Sequence, residues 1–179
     1  MRTAIITIIM FLSVGFCRVQ GSSPPWGGDG HYTFGDEDPF FTHGEIYDTA
    51  SVDIVGGSFA DLHCWDYSTV TMTGGEATSG ILVNDSSTLY LSGGTIPYLD
   101  AEQFGMIHFY VDNYNFDPDT YINFDGLLTG TWANSNGDFE ILIGGGTWSP
   151  AHVNIVVVPE PATIIFFGFG CIFLKRMRR

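Results

Sequence analysis

The chain has 179 residues, 45% of them hydrophobic, with 20 Asp or Glu against 6 Lys or Arg and a formal net charge of -14 at pH 7. Every basic residue lies near an end, as Arg2, Arg18, Lys175, Arg176, Arg178 and Arg179. The long middle therefore cannot neutralise phosphates, which excludes nucleic-acid binding and attraction to anionic lipid headgroups, and it cannot be held together by Lys or Arg salt bridges.

In chain order, Arg2, the apolar stretch Ala4 to Phe16 and the small residues Val19 and Gly21 predict a secretory signal peptide over residues 1–21. Phe16 is too large for the small residue that a lipoprotein signal needs before its cysteine, so Cys17 is not read as a lipid attachment point. Residues 22–41, rich in Gly, Pro and Asp, predict a loosely ordered lead-in with a first strand around His31 to Phe34.

Residues 42–111 carry an internal repeat. DTASVDIVGG from Asp48, DYSTVTMTGG from Asp66 and DSSTLYLSGG from Asp85 align without a gap, and one more step reaches Gln103, followed by Ile107 and Phe109 at the apolar positions. Each copy alternates, with Val52 and Ile54, Val70 and Met72, Leu89 and Leu91 on one face, which predicts a strand buried on one side. Second apolar pieces at Leu62 to Trp65, Ile81 to Val83 and Tyr98 to Leu99 predict two or three short strands per period, in about four coils. The glycine pairs at 56–57, 74–75 and 93–94 predict corners with positive φ.

A unit this short cannot bury its apolar face alone, so the expected fold is all-β: a β-solenoid resembling a parallel β-helix, with coils of 18 to 19 residues. A β-sandwich of successive hairpins is the rival, and antiparallel pairing of neighbouring strands would favour it. Residues 112–158 lose the repeat and predict a C-terminal β capping region with a turn at Asn134 to Asp138.

Residues 159–179 close the chain with Pro159, Glu160 and Pro161, an apolar run from Ala162 to Leu174, and the cluster Lys175, Arg176, Met177, Arg178, Arg179. At 1.5 Å per residue that run covers only about 20 Å of a roughly 30 Å hydrocarbon core. The apolar Ile155 to Val158 lengthens it, and the basic cluster is what the positive-inside rule keeps in the cytoplasm. A transmembrane segment with a basic retention cluster is the reading.

Val158-Pro159-Glu160-Pro161-Ala162-Thr163, the apolar run and the Arg-rich end, in this order, resemble the PEP-CTERM sorting signal of exported bacterial proteins. Leu128-Thr129-Gly130-Thr131-Trp132, then Gly137, Phe139 and Ile141, is similar to a stretch that often precedes such tails. The resemblance implies passage through the general export machinery, a transient stop in the inner membrane, and cleavage near Pro159 by an exosortase, a membrane protease. It implies that the chain is that protease's substrate, an address and not an activity; the expected function is a structural or interaction role without catalysis at the cell surface or in the extracellular matrix. Loss of both ends would remove all six basic residues and leave 19 Asp or Glu, a polyanion.

Chemistry-bearing motifs are sparse. Histidines 31, 43, 63, 108 and 152 show no HExxH or HxH spacing, so no zinc site is predicted, and no GxSxG or glycine-rich phosphate loop occurs. Cys64 is left without a disulfide partner between the two termini and reads as a buried thiol. Asp48, Asp66 and Asp85 would stack about 4.8 Å apart in a solenoid and repel by roughly 0.9 kcal/mol in water. Backbone N–H bonds from the Ser or Thr two or three residues on would offset that, with calcium as the other reading. The acidic runs Asp36 to Asp38 and Asp112 to Asp119 lack the Gly and Glu of a helix-loop-helix calcium site and read as solvated loops. No catalytic residue or cofactor is assigned. The alternative function is a carbohydrate-binding or polysaccharide-cleaving β-helix, using paired carboxylates or aromatics such as Tyr67 and Tyr90, with an extracellular polysaccharide as partner.

Overall fold

The computed structural model describes residues 25–118, 124–133, 137–144, 147 and 152–157, and over these the chain is built from strands with no α-helix. Ten strands form five coils of two: β1 (Pro25–Trp26) and β2 (His31–Phe34), β3 (Phe41–Ile46) and β4 (Ser51–Ile54), β5 (Ser58–Cys64) and β6 (Thr69–Met72), β7 (Glu76–Val83) and β8 (Thr88–Leu91), β9 (Tyr98–Ala101) and β10 (Met106–Asp117). Odd strands stack on odd and even on even, parallel throughout. Val52 pairs with Val70 and Val70 with Leu89, the parallel register of a β-solenoid. Within the coils the hairpins of a sandwich do not occur.

Equivalent residues point inward at each level. Val52, Val70, Leu89 and Ile107 form one buried column, and Phe34, Ile54, Met72, Leu91 and Phe109 the next. Ile46, Cys64, Val83 and Ala101 face them from the odd ladder. Aliphatic side chains fill the middle, while aromatic rings fill the ends. Trp26, Phe34, Phe41 and Phe59 cluster at the N-terminal end, with Phe41 stacked on Phe59 at 5.2 Å. Trp132 packs against Phe109 and Phe139 at the C-terminal end. The outermost levels have a neighbour on one side only, and large rings cover more of the apolar surface that would otherwise meet water.

The stack extends further toward the N-terminus than the repeat pattern indicates. The strand expected at His31 to Phe34 is present as β2, and with β1 it makes a further coil, Trp26 in register with Ile46 and Phe34 with Ile54. Two features hide it in the sequence. Gly28 replaces the aspartate, and the step from it to Asp48 is 20 residues instead of 18 or 19.

Two columns of corners link the ladders. At the first, Gly28, Asp48, Asp66, Asp85 and Gln103 all take left-handed backbone, with φ between 54° and 77°. Turns closed by Ala50 N–H to Tyr47 O, Ser68 N–H to Trp65 O, Ser87 N–H to Asn84 O and Gly105 N–H to Glu102 O repeat there. At the second, Gly57, Gly75 and Gly94 have φ of 77°, 86° and 95°, and a Cβ on Gly75 would lie 2.7 Å from the Gly56 carbonyl oxygen. Only glycine fits such a corner.

Beyond the last coil, β11 (Phe124–Trp132) runs antiparallel to both β10 and β12 (Asp138–Gly144), and β12 lies parallel on β9. The sheet thereby passes from one ladder to the other across the C-terminal end. β13 (Val153–Val157) pairs parallel with β10, so Ile155 to Val157, expected to lengthen the apolar run of the tail, instead belong to the sheet because their backbone groups find ladder partners there. Trp132 Nε1 donates to the Gly94 carbonyl at 3.0 Å, fastening this cap to the stack.

Candidate functional site

The aspartate column is a structural device. Asp48 Oδ2 accepts the N–H of Gly28 at 2.8 Å, Asp66 Oδ2 that of Asp48 at 3.0 Å, and Asp85 Oδ2 that of Asp66 at 3.2 Å. The carboxylates do accept backbone N–H groups, but the donor is the equivalent residue one coil earlier, not the Ser or Thr two or three residues on. Stacking at one coil per step brings that amide within reach, and its dipole offsets repulsion along the column. Asp36 and Asp38 play similar parts, accepting the N–H of Gly57 and of Gly35. The other residues singled out by the sequence are scattered. Cys64 points inward, fully buried, with burial pushing its thiol pKa up to about 12. Tyr67 is exposed on a corner, and Tyr90 stacks on His108 at 4.9 Å. Pro159, Glu160, Pro161, Lys175, Arg176, Arg178 and Arg179 lie outside the described residues.

The outer face of the odd ladder gathers chemistry that the linear spacing does not reveal. Alternation along β3 turns His43 and Glu45 outward, alternation along β5 does the same for Asp61 and His63, and the register pairs His43 with Asp61 and Glu45 with His63. Two imidazoles and two carboxylates thus alternate on a two-by-two lattice. His43 Nδ1 lies 3.0 Å from Asp61 Oδ1, His43 Nε2 lies 3.4 Å from Glu45 Oε1, and His63 Nε2 lies 3.8 Å from Asp61 Oδ2. The imidazole rings meet edge to face at 4.6 Å. Tyr47 donates its hydroxyl to Glu45 Oε2, and Trp65 covers the other side of His63.

These contacts shift the pKa values of the groups that make them. The hydrogen bond to Asp61 raises the His43 pKa, with a further contribution from Glu45. Burial lowers that of His63, and the charge on His43 lowers it further. The hydrogen bond from Tyr47 lowers the Glu45 pKa and in turn raises the phenol to about 12.

Beside this lattice the face dips into a groove of about 280 Å³, with Asp61 and His63 at one end and Tyr98, Asp100 and Glu102 at the other. The register between β5 and β7 slips between Phe59 and Asp61, so that β7 takes an extra residue, and Gly80 then stands opposite Asp61. A bulge bends its strand, and a glycine removes the side chain that would fill the dip. A Cβ at Gly80 would meet the Tyr98 ring at 2.9 Å. Asp100 is held in place, accepting from the Tyr98 hydroxyl at 2.8 Å and from Thr147 Oγ1 at 2.5 Å.

The signal that could have found the lattice is the coil period. His43 and Asp61 are 18 residues apart, as are Glu45 and His63, the same step as Asp48 to Asp66. Local motif spacing misses any site assembled across coils. No protein-family model, curated protein or solved structure matches this chain.

Proposed function

We propose that the protein is an exported β-solenoid, sorted by its C-terminal tail and acting without catalysis as a structural or interaction element at the cell surface or in the extracellular matrix. One observation carries this reading: Pro159-Glu160-Pro161, the apolar run Ala162 to Leu174 and the Lys175 to Arg179 cluster stand in that order. The apolar run halts in the bilayer and the cluster resists translocation. The export machinery delivers the chain, and an exosortase-type protease cuts it near the Pro-Glu-Pro triplet. The polyanionic, glycine-cornered stack suits an aqueous exterior, where solution cations balance its carboxylates.

Fractionation of cells carrying the full chain and its Pro159→Ala/Glu160→Ala/Pro161→Ala form tests the proposal. Release of the first and membrane retention of the second is the expected result, and equal release of both rejects it.

A second reading rests on the groove. A tyrosine ring beside Asp61, Asp100 and Glu102 is suited to hydroxyl-rich, uncharged ligands, and it favours a carbohydrate-binding role in the same location. Retention of neutral polysaccharide by the purified chain, lost on Tyr98→Ala, distinguishes it from a purely structural role.

A further inference from the structure

We propose that His43, Asp61 and His63 form a binding site for a single first-row transition-metal dication of the zinc type, with Glu45 and Tyr47 as its supporting hydrogen-bond partners. One ligand atom from each of the three residues lies within 4.8 Å of the others. Zinc bound at 2.0 to 2.2 Å holds neighbouring ligand atoms about 3.3 Å apart in a tetrahedron. His43 Nδ1 lies 3.0 Å from Asp61 Oδ1 and His63 Nε2 lies 3.8 Å from Asp61 Oδ2, so each imidazole approaches a different oxygen of the one carboxylate and must draw in to share a metal with it. The three side chains are 29 to 34% exposed, so modest rotations can close the remaining gap. Their backbones are fixed in the middle of a parallel ladder.

The donor set selects the ion. Two imidazoles with one carboxylate suit zinc and its neighbours in the first transition row, whereas calcium and magnesium take oxygen donors. Among the described residues there is no Lys or Arg, so the two carboxylates of the lattice have only imidazoles for countercharge. A dication supplies more.

The supporting contacts fit the same ion. With Nδ1 of His43 turned to Asp61, its Nε2 faces Glu45, and Glu45 is anchored by the Tyr47 hydroxyl. A carboxylate behind a histidine fixes the tautomer and ring orientation of a metal ligand. Three protein ligands leave a coordination position open, and Asp61 and His63 also line the groove, from which an exchangeable ligand can reach the ion.

The test is calorimetric titration of the chelator-treated full chain with zinc chloride. The expected result is saturation at one ion per chain, with affinity reduced at least about tenfold by His43→Ala or His63→Ala and about tenfold by Glu45→Gln, while the circular dichroism of the variants stays that of the parent. On the unaltered protein, one equivalent of zinc should move the imidazole ¹⁵N resonances of His43 and His63 and leave those of His31, His108 and His152 in place. Absence of saturable heat overturns the proposal. So does affinity unchanged in the His43→Ala/His63→Ala double variant, or unmoved His43 and His63 resonances in the unaltered chain.

Discussion

The two outer faces of the solenoid are built on the same coil and both carry imidazoles and carboxylates, His31 with Asp53 on the even side, yet they differ in regularity. The even ladder is regular: β4, β6 and β8 each have four residues, pair without a register slip, and present Ser51, Asp53, Thr69, Thr71, Thr88 and Tyr90 outward. The odd ladder has strands of six, seven and eight residues in β3, β5 and β7, carries the bulge, and presents imidazoles, carboxylates and a glycine. Inward positions and corners are under steric and hydrogen-bonding demand at every level, so they repeat. Outward positions are free of that demand, and departure from the repeat there marks where a surface has acquired its own chemistry.

The largest contrast lies between the inner and outer sides of the even ladder. Leu89 is fully buried between Val70 and Ile107, so Leu89→Ala should cost about 3 kcal/mol, whereas Thr71→Ala on the outer side should stay within about 0.5 kcal/mol. Denaturant midpoints of the two variants measure this directly. Similar midpoints would mean that the ladder is not the stabilising unit.

A smaller effect is expected at the corners. Asp66→Ala removes the acceptor for the Asp48 N–H and places a Cβ residue without a compensating side-chain bond at φ 57°, for a loss of about 1 to 2 kcal/mol. Asp66→Asn keeps both the acceptor oxygen and a residue that tolerates left-handed backbone, and should lose less than about 0.5 kcal/mol. Equal losses would show that charge, not the coil-to-coil hydrogen bond, matters at this column.

The finest test separates the two histidines of the odd face. In metal-free protein, NMR titration should place His43 above the ordinary 6.5 and His63 below it. Asp61→Asn should bring His43 back toward 6.5 and push His63 further down, because Asp61 raises both and burial alone still lowers His63. The raised His43 contributes stability that is full below pH 6.5 and is lost as pH climbs through its folded pKa. The lowered His63 acts oppositely, favouring the fold above its unfolded value and losing that contribution as pH falls through its folded one. A rise in the pKa of either histidine on Asp61→Asn would contradict the lattice geometry.

Much of the fold was legible in the residues because its constraints are local and periodic. Asp48, Asp66 and Asp85, with the glycines that follow each strand, mark corners that only certain residues can turn, and the apolar alternation between them assigns the buried side. Gln103 was found by counting alone, and its φ of 58° matches the others. The strand His31 to Phe34 was legible, but its place as a coil of the stack was not, because Gly28 satisfies the same backbone demand without repeating the same letter. The aspartates were legible as turn residues, but their donors were not, since an amide 18 to 20 residues away becomes a neighbour only when coils stack.

The sequence alone determined the strand periodicity, the anionic character and the segregation of every Lys and Arg to the ends, because each of these is a property of residue order or composition. Tertiary structure decided which outward residues meet. A slip of one position between β3 and β5 would turn His43 and Glu45 away from Asp61 and His63, and without the extra residue in β7, Gly80 would not open the groove beside them. Register between coils is a property of the whole stack, and the candidate site exists only through it.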